Sequence, residues 1–124
     1  MDQRFPKTRR LRTQSDFDMV FAQDHFAADD VLVIRARRNE TGHSRLGLSI
    51  SRRVGNAVVR NRWKRLIREA FRKQLDQFPA GIDLVVRPRK GAVCDYAPIA
   101  RSIVKLASRL NRKMPRKAGP KNAG

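Results

Sequence analysis

Apolar residues recur along this chain with two different periods, and the changes of period mark out its elements. The run VLVIRARR (31–38) is rich in β-branched residues and predicts a strand. In RLGLSISRR (45–53), Leu46, Leu48 and Ile50 alternate with Gly47, Ser49 and Ser51, which predicts a strand with one apolar face and one small, polar face. The small face either leaves room for a close approach or marks a bulge at the glycine. Between these runs, NETGHS (39–44) supplies turn residues, so a hairpin joining them is expected. A further extended run, IDLVVRPRK (82–90), places Ile82, Leu84 and Val86 on one face.

The helical period governs the segments between. At 100° per residue, Val59, Trp63, Leu66, Ile67 and Ala70 fall within an arc of roughly 100°, the width of a core-facing stripe. Asn56 is the expected N-cap of this helix and FPAG (78–81) its expected end. Strand, helix and strand across 45–88 predict a parallel β-α-β crossover. Earlier in the chain, Ser15 with Asp18 three residues on reads as a capping box opening a short helix through Phe17, Val20 and Phe21, with a loop from Asp24 to Asp30 after it. A last helix is expected from about Asp95 to Arg112, with Ile99, Ile103, Leu106 and Leu110 on one side and Pro98 in its first turn. The organisation is one domain over 14–113, preceded by a basic extension (1–13) and followed by a basic tail (114–124) predicted to be disordered. No internal repeat is present.

Charge changes the picture. The 29 basic and 11 acidic residues of the 124-residue chain leave a net +18, which repels itself until a polyanion neutralises it. Much of that charge lies on the central helix, where Arg60, Asn61, Lys64, Arg65, Arg68 and Arg72 occupy the arc opposite the apolar stripe. A merely solvated face mixes Lys with Glu at spacing four, and here only Glu69 offers such a pair. Arginine predominates, and its fork suits phosphate and its plane suits exposed bases. The expected partner is nucleic acid. No run reaches the roughly 18 apolar residues of a membrane span, and MDQRFPKTRRLRT lacks the apolar middle of a secretory signal, so no membrane partner and a cytoplasmic location are expected.

Candidate catalytic chemistry is sparse. His25 and His43 are expected in polar loops, without a paired acid or metal-ligand spacing. Asp16, Asp18, Asp24, Asp29 and Asp30 are explained by capping and turns more simply than by a magnesium site. The one cysteine, Cys94, can form neither an internal disulfide nor a cysteine-based zinc site. No catalytic residue, metal ligand or bound cofactor is assigned. Phe17 and Phe21, four apart, share a helix face that either packs into the core or offers a stacking platform for unpaired bases.

The order and spacing of SISRRVGNAVVRNRWKRLIREAF closely resemble the signature of the bacterial ribonuclease P protein subunit, centred on Arg60, Asn61, Arg62, Lys64, Arg65, Arg68 and Glu69. The resemblance extends to RLRTQSDFDMVF (10–21) and covers roughly residues 9–112. It implies an α+β fold: a small single-domain two-layer sandwich in α-β-β-β-α-β-α order, with a mixed four-stranded sheet and a crossover that is left-handed in the family. It also implies binding of the catalytic RNA subunit through Arg60, Asn61, Arg62, Lys64, Arg65, Arg68 and Arg72. The 5′ leader of precursor tRNA would lie in a cleft between the first helix and the sheet, with Phe17 and Phe21 lining it and Arg52, Arg53 and Asn56 at its basic rim. Chemistry would belong to the RNA and its Mg2+, with no obligate protein partner. Relatives often carry an aromatic in the first strand; VLVIRA has none, which predicts a thinner aromatic floor. The rival expectation is a ribosomal or other structural RNA-binding protein, with a metal-dependent nuclease and a DNA-binding protein behind it.

Overall fold

The structure is a computed structural model that describes residues 9–23 and 25–115. Its elements run α1 (Gln14–Gln23), β1 (His25–Ala28), β2 (Leu32–Arg38), β3 (Arg45–Leu48), α2 (Ala57–Lys73), β4 (Ile82–Pro88) and α3 (Tyr96–Lys113), with short 3-10 turns at Arg52–Val54 and Leu75–Gln77. The sheet order is β1-β2-β4-β3, antiparallel except for the parallel pair β3 and β4 that the α2 crossover joins.

Alternation along the strands divides the sheet into two unlike faces. Leu32, Ile34, Ala36, Leu46, Ile82, Leu84 and Val86 face α2 and α3 and share one core with Trp63, Ile67, Phe71, Ile103 and Leu106. This is the main two-layer sandwich. On the other face α1 packs through a smaller cluster of Leu11, Val20 and Val85, with Phe17 against it.

Several sequence expectations are corrected. The hairpin between 31–38 and 45–53 does not form, because β4 takes the place between β2 and β3. β4 is buried along its whole length except Arg87, so it is stable only with a strand on each side, and the turn residues of 39–44 carry no information about that. The segment read as a loop before Asp30 contains β1, which pairs with β2. Its turn is held by Asp29, whose Oδ1 accepts from the Val31 and Leu32 N–H groups at 2.9 and 3.0 Å. Asp24 lies outside the described residues.

The cap of α1 is Thr13 rather than Ser15: Thr13 Oγ1 accepts from the Asp16 N–H at 3.0 Å, and Asp18 receives the Gln14 side chain instead of completing a box. Asn56 does cap α2, accepting from the Val59 N–H at 3.0 Å. That helix ends at Lys73, before FPAG, and a 3-10 turn follows it. Val59 leaves the stripe, being 37% exposed in the first turn, where α2 projects beyond the core.

The ends also join the fold more closely than expected. Leu11 is buried and its N–H donates to Leu46 O at 2.9 Å, which ties part of the basic extension to β3. At the other end Met114 is buried, and Arg38 donates to the carbonyls of Asn111, Met114 and Pro115. One arginine thus takes the Asn111 carbonyl, which the last turn of the helix leaves unpaired, together with two carbonyls just beyond the helix. The tail beyond residue 115 lies outside the described residues.

Candidate nucleic-acid interface

The cationic face of α2 is built by burying the other side. Trp63, Ile67, Ala70 and Phe71 are buried, which fixes the rotation of the helix. Asn61, Arg62, Arg65 and Arg68 are then exposed, with Arg60, Lys64 and Arg72 half-buried beside them. Two of these side chains also anchor the surroundings. Arg60 Nη1 donates to Gly55 O at 2.8 Å and Arg62 Nη2 to Cys94 O at 3.4 Å, so the plate is tied to the turn before α2 and the loop before α3. Glu69 is engaged by Lys73 at 3.1 Å, leaving it little capacity to neutralise the rest. Partial burial, and then the neighbouring Arg10 cation, lower the Arg68 pKa from its ordinary value. The plate therefore runs from α2 onto the N-terminal segment, and like charges held together gain from a polyanion laid across them.

The second surface is the sheet face that α1 leaves partly uncovered. There Arg35 stands between two exposed aromatic rings, 5.6 Å from the centroid of Phe21 on α1 and 5.6 Å from that of Phe26 on β1. Phe21 is 43% and Phe26 50% exposed, an unfavourable arrangement for core residues and a suitable one for stacking unpaired bases beside a guanidinium. Of the two aromatics singled out in sequence, Phe21 lies at this surface, whereas Phe17 is half-buried in the contact of α1 with the sheet. The expected shortage of aromatics is overturned, because the first strand is HFAA, and it carries Phe26.

Sequence reasoning missed Phe26 and Arg35. Their signal was a phenylalanine placed opposite an arginine by the β1–β2 register, legible only once β1 is known to be a strand. Arg52 and Arg53 lie exposed on the 3-10 turn after β3, on a different element from the phenylalanines, and Asn56 follows with its side-chain oxygen committed to the cap. Arg53 lines a cleft of about 450 Å³ with Arg87, Arg89 and Lys90 over an apolar floor that includes Trp63.

The buried carboxylates are occupied by structural partners. Asp83, fully buried on β4, accepts a two-pronged contact from Arg45 at 2.8 and 2.9 Å and a hydrogen bond from Asn39. Arg37 adds an ion pair, its Nε 3.1 Å from Asp83 Oδ2. Asp29 accepts from Ser102 Oγ at 2.7 Å and pairs with Lys105 at 3.1 Å. Among the described residues no three of His, Cys, Asp and Glu gather as a metal-ligand group. His25, expected in a loop, is instead the first residue of β1, whereas His43 is exposed in the turn after β2. Burial raises the Cys94 thiol pKa, and Arg62 only partly offsets this, which keeps the group a poor nucleophile at neutral pH. No described helix is long and apolar enough to cross a membrane.

Comparison with known proteins gives the arrangement a family. The family model described as Ribonuclease P matches residues 5–111. The ribonuclease P protein component of Chromohalobacter salexigens is 40% identical over 114 residues, spanning 90% of this chain and 88% of that protein. That of Proteus mirabilis is 47% identical over 88 residues, spanning 70% and 73%. Among solved structures, the RNase P protein from Thermotoga maritima superposes with a TM-score of 0.73 at 34% identity, covering 81% of this chain and 96% of that one. The Staphylococcus aureus protein gives 0.73 at 31% identity, covering 83% and 95%. With its mixed four-stranded sheet and three helices, this chain belongs to the family of bacterial ribonuclease P protein components.

Proposed function

We propose that this chain is the protein subunit of a ribonucleoprotein that removes the 5′ leader from precursor tRNA, with the hydrolysis performed by the RNA subunit and its Mg2+. The observation that carries the reading is the one-sided cationic face of α2 in a chain of this family. Arg60, Asn61, Arg62, Lys64, Arg65, Arg68 and Arg72 dock on the RNA subunit. The leader lies along the other sheet face, stacking on Phe21 and Phe26 beside Arg35, with Arg52, Arg53 and Asn56 contributing at the start of α2. Phe17 supports this surface from beneath.

The protein's contribution is electrostatic and positional. Its cations replace part of the ion atmosphere between two crowded RNAs, so the assembly works at less Mg2+ than the RNA alone. No cofactor of its own is required, and Asp83 and Asp29 are engaged by Arg45, Ser102 and Lys105.

The test is 5′ processing of a precursor tRNA at low Mg2+ by a bacterial ribonuclease P RNA, with and without this protein, beside a protein-only control. Cleavage that appears only when both are present supports the reading. Failure to rescue an RNA that is active at high Mg2+ would leave a general structural RNA binder.

A further inference from the structure

We infer that Gly47 is a positioning residue: the side chain it lacks gives Phe17 its seat on the sheet, and that seat sets how far α1 stands above the Arg35 floor of the leader groove. The inference rests on the leader reading above.

Backbone conformation does not require glycine at this position. Among the described residues the glycines with positive φ are Gly42, Gly55, Gly81 and Gly91, and Gly47 is an ordinary strand residue paired with Val85. What requires it is space. A Cβ on Gly47 would lie 2.8 Å from Phe17 Cζ, 2.9 Å from Phe17 Cε1 and 3.1 Å from Leu11 Cβ. The small face of β3 is thus approached by a ring of the same chain.

A second contact lies two residues earlier on the same face of the same strand. Arg45, locked to buried Asp83, holds its Nη2 3.8 Å from Asp16 Oδ1. Two successive same-face positions of β3 therefore hold two successive residues of α1, Arg45 with Asp16 and Gly47 with Phe17. Phe21 is one turn further along α1, and four residues apart puts it on the same helix face as Phe17. With the Asp16 end tethered, lifting Phe17 tilts α1 about that tether and carries Phe21 away from Arg35. A ring that swings aside instead of lifting the helix enters the groove. Either movement alters the space for a single strand while leaving the cationic face of α2 in place.

The experiment uses the assembled ribonucleoprotein and compares affinity for a leader-bearing precursor with affinity for mature tRNA. Gly47→Ala lowers this ratio about tenfold, the size expected of a methyl forced into a filled contact, with mature tRNA binding unchanged. Phe17→Leu in the Gly47→Ala background removes the far ring atoms that the methyl strikes, and restores the ratio to within about threefold. An unchanged ratio in Gly47→Ala, an equal loss for both tRNAs, or no recovery in the double variant overturns the inference. Phe21→Ala is the control for the groove itself: if it leaves the ratio intact, the leader reading fails and the inference with it. If Phe21→Ala acts and Gly47→Ala does not, the role of Gly47 alone is refuted.

Discussion

Asp29 shows how much a single turn residue can hold. Its carboxylate accepts from two backbone N–H groups that close the β1–β2 turn, and from Ser102 and Lys105 of α3, so one side chain joins the sheet edge to the last helix. Burial alone would raise its pKa, but the backbone N–H groups, Ser102 and Lys105 outweigh it and hold the group at about 2, against 3.8 for a free side chain. The folded value lies below the unfolded one, so the stabilisation is fully present above pH 4 and disappears as the pH falls through about 2. A shift of that size corresponds to about 2 kcal/mol at neutral pH. Urea unfolding of the wild-type chain and Asp29→Asn should therefore differ by about 2 kcal/mol at pH 7, and the gap should close toward pH 2. A gap independent of pH would assign the loss to shape rather than charge. Residue roles of this kind are only half legible in sequence. Asp29 reads correctly as turn chemistry, but its bond to Ser102 spans 73 positions and is invisible to local spacing. The pairing of Phe26 with Arg35 was hidden for a nearer reason, the shortness of β1, while Phe21 was singled out by its spacing of four from Phe17.

At the scale of elements, Asp83 pins the sheet order that turn residues could not predict. It lies on the central strand β4 and draws arginines from both neighbours, Arg37 from β2 and Arg45 from β3. Those arginine side chains are only 16% and 17% exposed, so a neutral residue at 83 would leave two poorly hydrated cations facing each other. Asp83→Asn is expected to lower stability by about 3 kcal/mol in urea titration, the range for removing one partner of a buried ion pair. A loss under about 1 kcal/mol would mean that water replaces the carboxylate, as at a surface pair. The elements themselves were mostly legible, because the main core lies against one side of α2, α3 and β3 and imposes a period, and because β2 and β4 are apolar runs rich in β-branched residues. What was hidden was β1, whose four residues are too short to display alternation, and the choice of strand neighbours, which depends on groups 38 or more positions apart such as Arg45 and Asp83. The α2 plate was legible from the same cause as the core, since burying Trp63, Ile67 and Phe71 decides which arginines face outward.

For the molecule as a whole, the net charge of +18 makes salt act in opposite directions on folding and on RNA binding. Raising ionic strength screens the repulsion among its own cations, with a Debye length of about 10 Å at 0.1 M, and so stabilises the free protein. The same salt restores the ion atmosphere that the protein displaces from RNA, and so weakens the complex. If about six phosphates are neutralised, affinity for the RNA subunit falls about a thousandfold between 50 and 200 mM monovalent salt. Lys64→Ala removes one contributor to the plate and should make the slope of log affinity against log salt shallower by about one unit or slightly less. Phe21→Ala should weaken binding of a leader-bearing precursor with the slope unchanged, because stacking on an aromatic face releases no counterions. Measuring both variants over the same salt series separates the two surfaces. A shallower slope for Phe21→Ala, or an unaltered one for Lys64→Ala, would mean that the division between an electrostatic helix face and an aromatic sheet face is drawn in the wrong place.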